Sequence, residues 1–195
     1  MYKAMLGLAR TMAVLGGLML AALILLTCVS IIGRQLNGFF HWDLIRSIAP
    51  GFSAWALGTG VGPVNGDFEI VESGMAFAIF AFLPFCQITA GHASVDILVN
   101  FFPVWVNRIL RAVVEVIFAA VLVLIARQLY EGMLSKIGNG ETTLLLQYPV
   151  WWAYAASFVA SVAAAIVGVY MACIRVLEAV TGRIRIWDGT EEAPQ

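Results

Sequence analysis

The chain has 195 residues, of which 62% are apolar and only 12% charged, with a formal net charge of −1; its mean hydropathy is +0.92. A soluble domain is about half apolar and a quarter charged, so this composition excludes a water-soluble globular fold and makes lipid the solvent for most of the chain. The near-neutral charge supplies no basic field for nucleic acid, and the sequence reads as an all-α integral membrane protein: four transmembrane helices plus short interfacial helices.

A bilayer core about 30 Å thick takes about 20 apolar residues in a helix. The first predicted span covers 11–33, fenced by Arg10 and Arg34 with no charge between them. It is too long for the apolar region of a signal peptide and lacks a small-x-small cleavage site. Leu25-Leu26-Thr27-Cys28 is a poor lipoprotein box because Thr27 is bulky where a small residue is needed. The segment is therefore expected to remain as a helix. A periplasmic loop is expected over 34–69. Within it, 47–66 carries no charge and is long enough to span, but Pro50, Gly51, Gly58, Gly60, Gly62, Pro63 and Gly66 oppose an unbroken helix. That stretch reads as loop, or as a surface-lying, partly re-entrant segment.

The second span is 70–90 and ends at Gly91-His92. The third, 106–128, is the weakest candidate because Glu115 sits inside it; Arg108, Arg111 and Arg127 can snorkel from its ends. The fourth, 150–174, opens on an aromatic belt of Trp151, Trp152 and Tyr154. Residues 1–187 thus form a single four-helix membrane domain, followed by a short acidic tail at 188–195. Cytoplasmic loops carry the excess of Lys and Arg. Four spans with the N-terminus inside put Lys3, Arg10, Arg108, Arg111, Arg175, Arg183 and Arg185 inside and Arg34, Arg46, Arg127 and Lys136 outside, seven against four. Counting 47–66 as a fifth span reverses the bias. Both termini are accordingly expected in the cytoplasm.

Little in the chain resembles catalytic machinery. Cys28, Cys86 and Cys173 lie in apolar runs without C-x-x-C spacing, which argues against a disulfide framework, a zinc site or thiol redox chemistry. His41 and His92 fall on opposite sides of the membrane and make a poor haem clamp. No cofactor, metal site or enzymatic activity is expected. The polar candidates are few. Glu69 and Glu72 open the second helix, where the helix dipole favours carboxylates; they read as capping groups or as a contact with a partner. Gln87 can hydrogen-bond to a neighbouring helix. Arg111 and Glu115 are four residues apart on one stripe of the third helix and make a candidate intramembrane ion pair. Gly91 can stop the second helix, Ser94 can cap the next piece, and 95–102 has one apolar face that can lie along the membrane surface. Glycines at 138 and 140 turn the chain before Pro149 starts the last helix.

Two of these segments carry a family likeness. Glu72 followed by Ala76-Phe77 and then by Gly91, His92, Val95 and Asp96 is the first; Gly140, Thr143, Pro149, Trp151 and Tyr154 are the second. In this order, within a four-span chain of this size, they resemble the small membrane (Q) subunit of tripartite ATP-independent periplasmic transporters. The loop between the first two helices is longer and richer in glycine than the family's usual form. The resemblance implies a non-catalytic subunit of the bacterial inner membrane, embedded in the lipid bilayer. Its expected partners are a large membrane subunit, which it braces, and a periplasmic substrate-binding protein that it helps to dock. The implied process is uptake of an organic acid or similar solute driven by a cation gradient, usually sodium. A self-assembling channel or exporter, and a membrane redox or assembly protein, are the competing readings.

Overall fold

The computed structural model describes residues 1–42, 47–48, 50–89 and 104–181. Five α-helices account for most of them: α1 (Tyr2–His41), α2 (Pro50–Gly58), α3 (Asp67–Ile88), α4 (Val104–Asn139) and α5 (Trp151–Thr181). Four of these, α1, α3, α4 and α5, are long and apolar enough to cross a membrane. The all-helical, four-span architecture expected from composition is the one found.

The helices are longer than their apolar runs. At about 1.5 Å per residue, the 40 residues of α1 are about twice as long as a bilayer core is thick. Helical geometry therefore continues through Arg34 to His41, beyond the residue at which lipid-compatible sequence stops. The stretch that resembles a fifth span is instead broken, as its prolines and glycines require. α2 is only nine residues long and packs on the C-terminal turns of α1, where Ser53 Oγ donates to the Phe40 carbonyl at 2.8 Å. Its other face leaves Phe52 and Trp55 exposed. The interfacial segment expected at 95–102, together with Gly91, His92, Val95 and Asp96, lies outside the described residues.

The spans pack in the spatial order α1, α3, α5, α4, with α3 and α5 in the middle and only a light contact between α1 and α5. Small residues set the spacing. On α5, Ala160, Ala164, Gly168 and Ala172 recur every four residues and are all buried. This stripe lets backbones approach closely, which is how helices associate when lipid removes the hydrophobic drive between them. At Gly168 an added Cβ would come within 2.9 Å of Leu122 Cδ1 on α4. On the opposite seam, Gly16 of α1 faces Ala78 and Ala81 of α3. Ala9, Ile88, Val167 and Met171 close the core where α1, α3 and α5 meet, at the face that carries the N-terminus.

At the other face, here termed the loop face, the linker from α2 returns against α1. It lies so close to Gly33 that a Cβ there would collide with the Gly62 carbonyl oxygen. Asn37 Nδ2 donates to the Val61 carbonyl at 2.7 Å. Ser30, fully buried, donates to the Asp67 carboxylate and receives the Val64 N–H at 3.3 Å. Arg34 adds its charge 3.7 Å from the same carboxylate. This knot fixes where α3 begins relative to α1.

Candidate functional site

Glu69, in the first turn of α3, anchors the loop that joins α4 to α5. One carboxylate oxygen accepts the Leu145 N–H at 2.7 Å and the other accepts the Leu146 N–H at 3.0 Å. Tyr148 Oη donates to the Glu69 carbonyl at 3.0 Å. The phenol has one proton, so at the 2.5 Å contact with Ser73 the serine hydroxyl is the donor. The loop also ties itself together. Thr143 N–H donates to the Tyr148 carbonyl at 2.9 Å, and Val150 N–H donates to the Glu141 carbonyl at 3.0 Å. Gly140 turns the chain with φ of 63°, a left-handed conformation that glycine adopts without penalty. Lys136 at the end of α4 pairs with Glu141 at the start of the loop. The Lys136 ammonium, by hydrogen bond and charge, holds the Glu141 carboxyl below the usual glutamate range.

Beneath this loop a cleft of about 500 Å³ separates α3 from α4 over the surface of α5. Its polar lining includes Glu69, Glu72, Thr143, Tyr148, Tyr154 and Ser157, and its apolar walls include Ala76, Phe80 and Leu129. Tyr154 packs its ring edge on Gly132 of α4, where a Cβ would be 2.8 Å from the ring. Trp151 meets Trp152 edge-on at 6.2 Å, and Trp152 stacks on Tyr148 at 6.4 Å. Glu69 is engaged by the loop, whereas Glu72 is exposed to the cleft and makes no hydrogen bond or ion pair among the described residues. The Ser157 hydroxyl is buried without a hydrogen-bond partner.

A second polar cluster lies toward the N-terminal face, where side chains of α3 and α4 meet. Gln87 is 1% exposed and its amide donates to the Glu115 carboxylate. Arg175 of α5 lies close enough for its charge to act on Glu115, and its guanidinium bonds Glu178 at 2.9 Å, both side chains being buried. The structure thus unites Glu69, Glu72, Thr143 and Tyr154 around the cleft, with Gly140, Pro149 and Trp151 shaping the loop above it. It brings Gln87 and Glu115 together at the other end. Arg111 is half-buried one turn before Glu115 on α4.

Several participants were not foreseen. Tyr148, Ser73 and Ser157 carry no charge and sit at unremarkable positions in the sequence. Ser30 and Asp67 are partners 37 residues apart, which no local pattern reveals. Arg175 and Glu178 fall past the apolar run of the last span, yet their three-residue separation is the one signal that could have paired them.

A protein-family model described as tripartite ATP-independent periplasmic transporters, DctQ component, matches residues 23–178. No curated protein and no solved structure matches the chain. The matched stretch takes in the whole cleft, the loop above it and the polar cluster at its far end.

Proposed function

The chain belongs to the DctQ family, the small membrane component of tripartite ATP-independent periplasmic transporters, and we propose that it braces the large membrane subunit and helps dock the periplasmic binding protein. The transport it serves is the uptake of an organic acid or similar solute on a cation gradient, with sodium as the coupling ion. The observation that carries this reading is the use to which the polar side chains are put. Glu69 holds a loop, Asp67 ties α3 to α1, Arg175 bonds Glu178, and Gln87 bonds Glu115. Three of these contacts tie one part of the chain to another, and the fourth neutralises a charge within α5, so each of these groups is spent on an internal partner, which is the chemistry of a scaffold. Intramembrane charge arranged along a cavity is the usual mark of a conduit.

In this reading the loop face is periplasmic and both termini are cytoplasmic, in the bacterial inner membrane, as the distribution of Lys and Arg favours. The α1–α2 hairpin and the exposed Leu144 and Leu145 then face the binding protein. The sequence around Gly91 and His92 then belongs to the cytoplasmic side, and substitutions at His92 or Asp96 impair assembly or transport without changing solute preference.

The test is purification of the tagged chain from its native membranes in mild detergent, with co-purifying proteins identified by mass spectrometry. Recovery of a much larger multi-span protein at about one-to-one stoichiometry is expected. A chain that runs alone or only with itself across a detergent screen would remove the bracing role. Labelling of Leu144→Cys by a membrane-impermeant maleimide in intact cells is the matching test of orientation.

A further inference from the structure

We infer that the cleft between α3 and α4 seats a lysine or arginine side chain of the large membrane subunit, with Glu72 as its counter-ion and the Ser157 hydroxyl as a second hydrogen-bond acceptor. The inference rests on the bracing role proposed above and names the contact through which that role is exercised.

Charge balance points to it first. Of the two carboxylates in the cleft lining, Glu69 is held by the Leu145 and Leu146 amides. Glu72 has no counterpart among the described residues. The basic side chains at the same end of α4 are engaged elsewhere, Arg127 with Glu131 and Lys136 with Glu141. Glu72 is five residues past the start of α3, which puts it about 7 Å below the helix start. An ionised carboxylate within a span is costly unless it is paired, and no described basic side chain at this end of the bundle is left to pair it.

Ser157 is the independent second observation. It is 2% exposed, lines the same cleft, and its hydroxyl has no hydrogen-bond partner. Serine in a helix ordinarily satisfies itself on a carbonyl of the preceding turn, as Ser161 does on Phe158 at 2.8 Å in the same helix. Ser157 instead stays free toward the cleft, about 9 Å below the start of α5.

The shape selects the occupant. A helix with its side chains is about 10–12 Å across, so a cleft of about 500 Å³ takes inserted side chains and not a whole helix. Ala76, Phe80 and Leu129 offer an apolar passage suited to the aliphatic stem of Lys or Arg, whose charged end then reaches a polar group. A lipid amine is the competing occupant, and the adduct mapped below separates the two.

The experiment places a photoreactive amino acid at Ala76 in the tagged chain and irradiates the complex in native membranes. The adduct is then mapped by mass spectrometry. The expected adduct is a peptide of the large subunit with Lys or Arg at or beside the linked position. Glu72→Lys should lower recovery of the large subunit roughly ten-fold or more, because like charges are then juxtaposed. Reversing the basic residue found by cross-linking should restore it. Glu131→Gln, outside the cleft, should leave recovery unchanged. Ser157→Ala should preserve or raise the thermal stability of the isolated chain, since it removes an unsatisfied buried group, while lowering recovery of the complex. A lipid adduct alone, or unchanged recovery with both Glu72→Lys and Ser157→Ala, overturns the inference and leaves the bracing role standing if the large subunit still co-purifies. If the unsubstituted chain recovers no larger subunit, the bracing role and this inference fall together.

Discussion

Gln87 on α3 donates its side-chain amide to the carboxylate of Glu115 on α4, which joins two helices that are held apart by a cleft at their other ends. Arg175 of α5 adds its charge to the same carboxylate. Removing Gln87 leaves a half-buried carboxylate short of a donor. Interhelical hydrogen bonds in membrane proteins are worth about 0.6–2 kcal/mol, so Gln87→Leu should lower the stability of the detergent-solubilised chain by roughly that amount. The double variant Gln87→Leu/Glu115→Leu should recover part of the loss, because both polar partners are then gone. Additive losses in a thermal-unfolding double-mutant cycle would show that the two side chains are not coupled.

Close backbone approach makes a ranked prediction about glycines. An alanine at Gly33 drives Cβ into a backbone carbonyl oxygen, one at Gly168 puts it 2.9 Å from the end of a leucine side chain, and one at Gly17 meets nothing within 4 Å. Backbone cannot yield as a side chain can. Gly33→Ala should therefore destabilise most, by about 1–3 kcal/mol or more as overpacking typically does, Gly168→Ala less, and Gly17→Ala not at all. Thermal stability in detergent reads the order, and equal effects at Gly33 and Gly17 would contradict the packing of the linker on α1.

The four spans were legible because an uninterrupted apolar run of membrane length is rarely compatible with anything but a bilayer-crossing helix. The breaking of 47–66 was legible because proline and glycine act locally on backbone conformation. Helix ends were less so: hydropathy reports where lipid contact stops, not where hydrogen-bonded geometry stops, so α5 runs on through Arg175 to Thr181 and buries a pair that lies past the apolar run. The site was only half legible. Glu69 and Glu72 stand out as charges at a helix start, but they differ in role, and that difference depends on backbone amides 76 and 77 residues away. Ser157 is one small residue among many in α5 until its hydroxyl is found without a partner.

The loop above the cleft should loosen when Glu69 is removed. Its carboxylate is the acceptor for two successive amides in a loop whose leucines are otherwise exposed. Glu69→Ala should raise amide exchange at Leu145 and Leu146 while leaving α5 protected, since local opening tracks local hydrogen bonding. Hydrogen exchange with mass-spectrometric readout distinguishes this from global loss of structure. Unchanged protection at those two amides would mean that the loop is held by Tyr148 and its own turn alone.

Acidification should act on the same loop through Glu141. Lys136 lowers the Glu141 carboxyl below its ordinary value in the folded state, first by hydrogen bonding and then by charge. A depressed carboxylate pKa means that the unfolded chain binds the proton more readily than the folded one. The contribution of the pair is therefore complete above the ordinary glutamate value, shrinks as pH falls below it, and is lost once pH passes the lowered folded value. Between pH 6 and 8, a range of roughly two units above that window, the pair should add no pH dependence. The side chains are partly exposed, 28% for Lys136 and 47% for Glu141, so salt should weaken the effect. A carboxyl-carbon NMR titration of Glu141 should give a midpoint below the ordinary value at low salt, moving upward in Lys136→Gln and at high salt. A midpoint at or above the ordinary value in the unsubstituted chain would remove Lys136 as the group that holds this end of the loop.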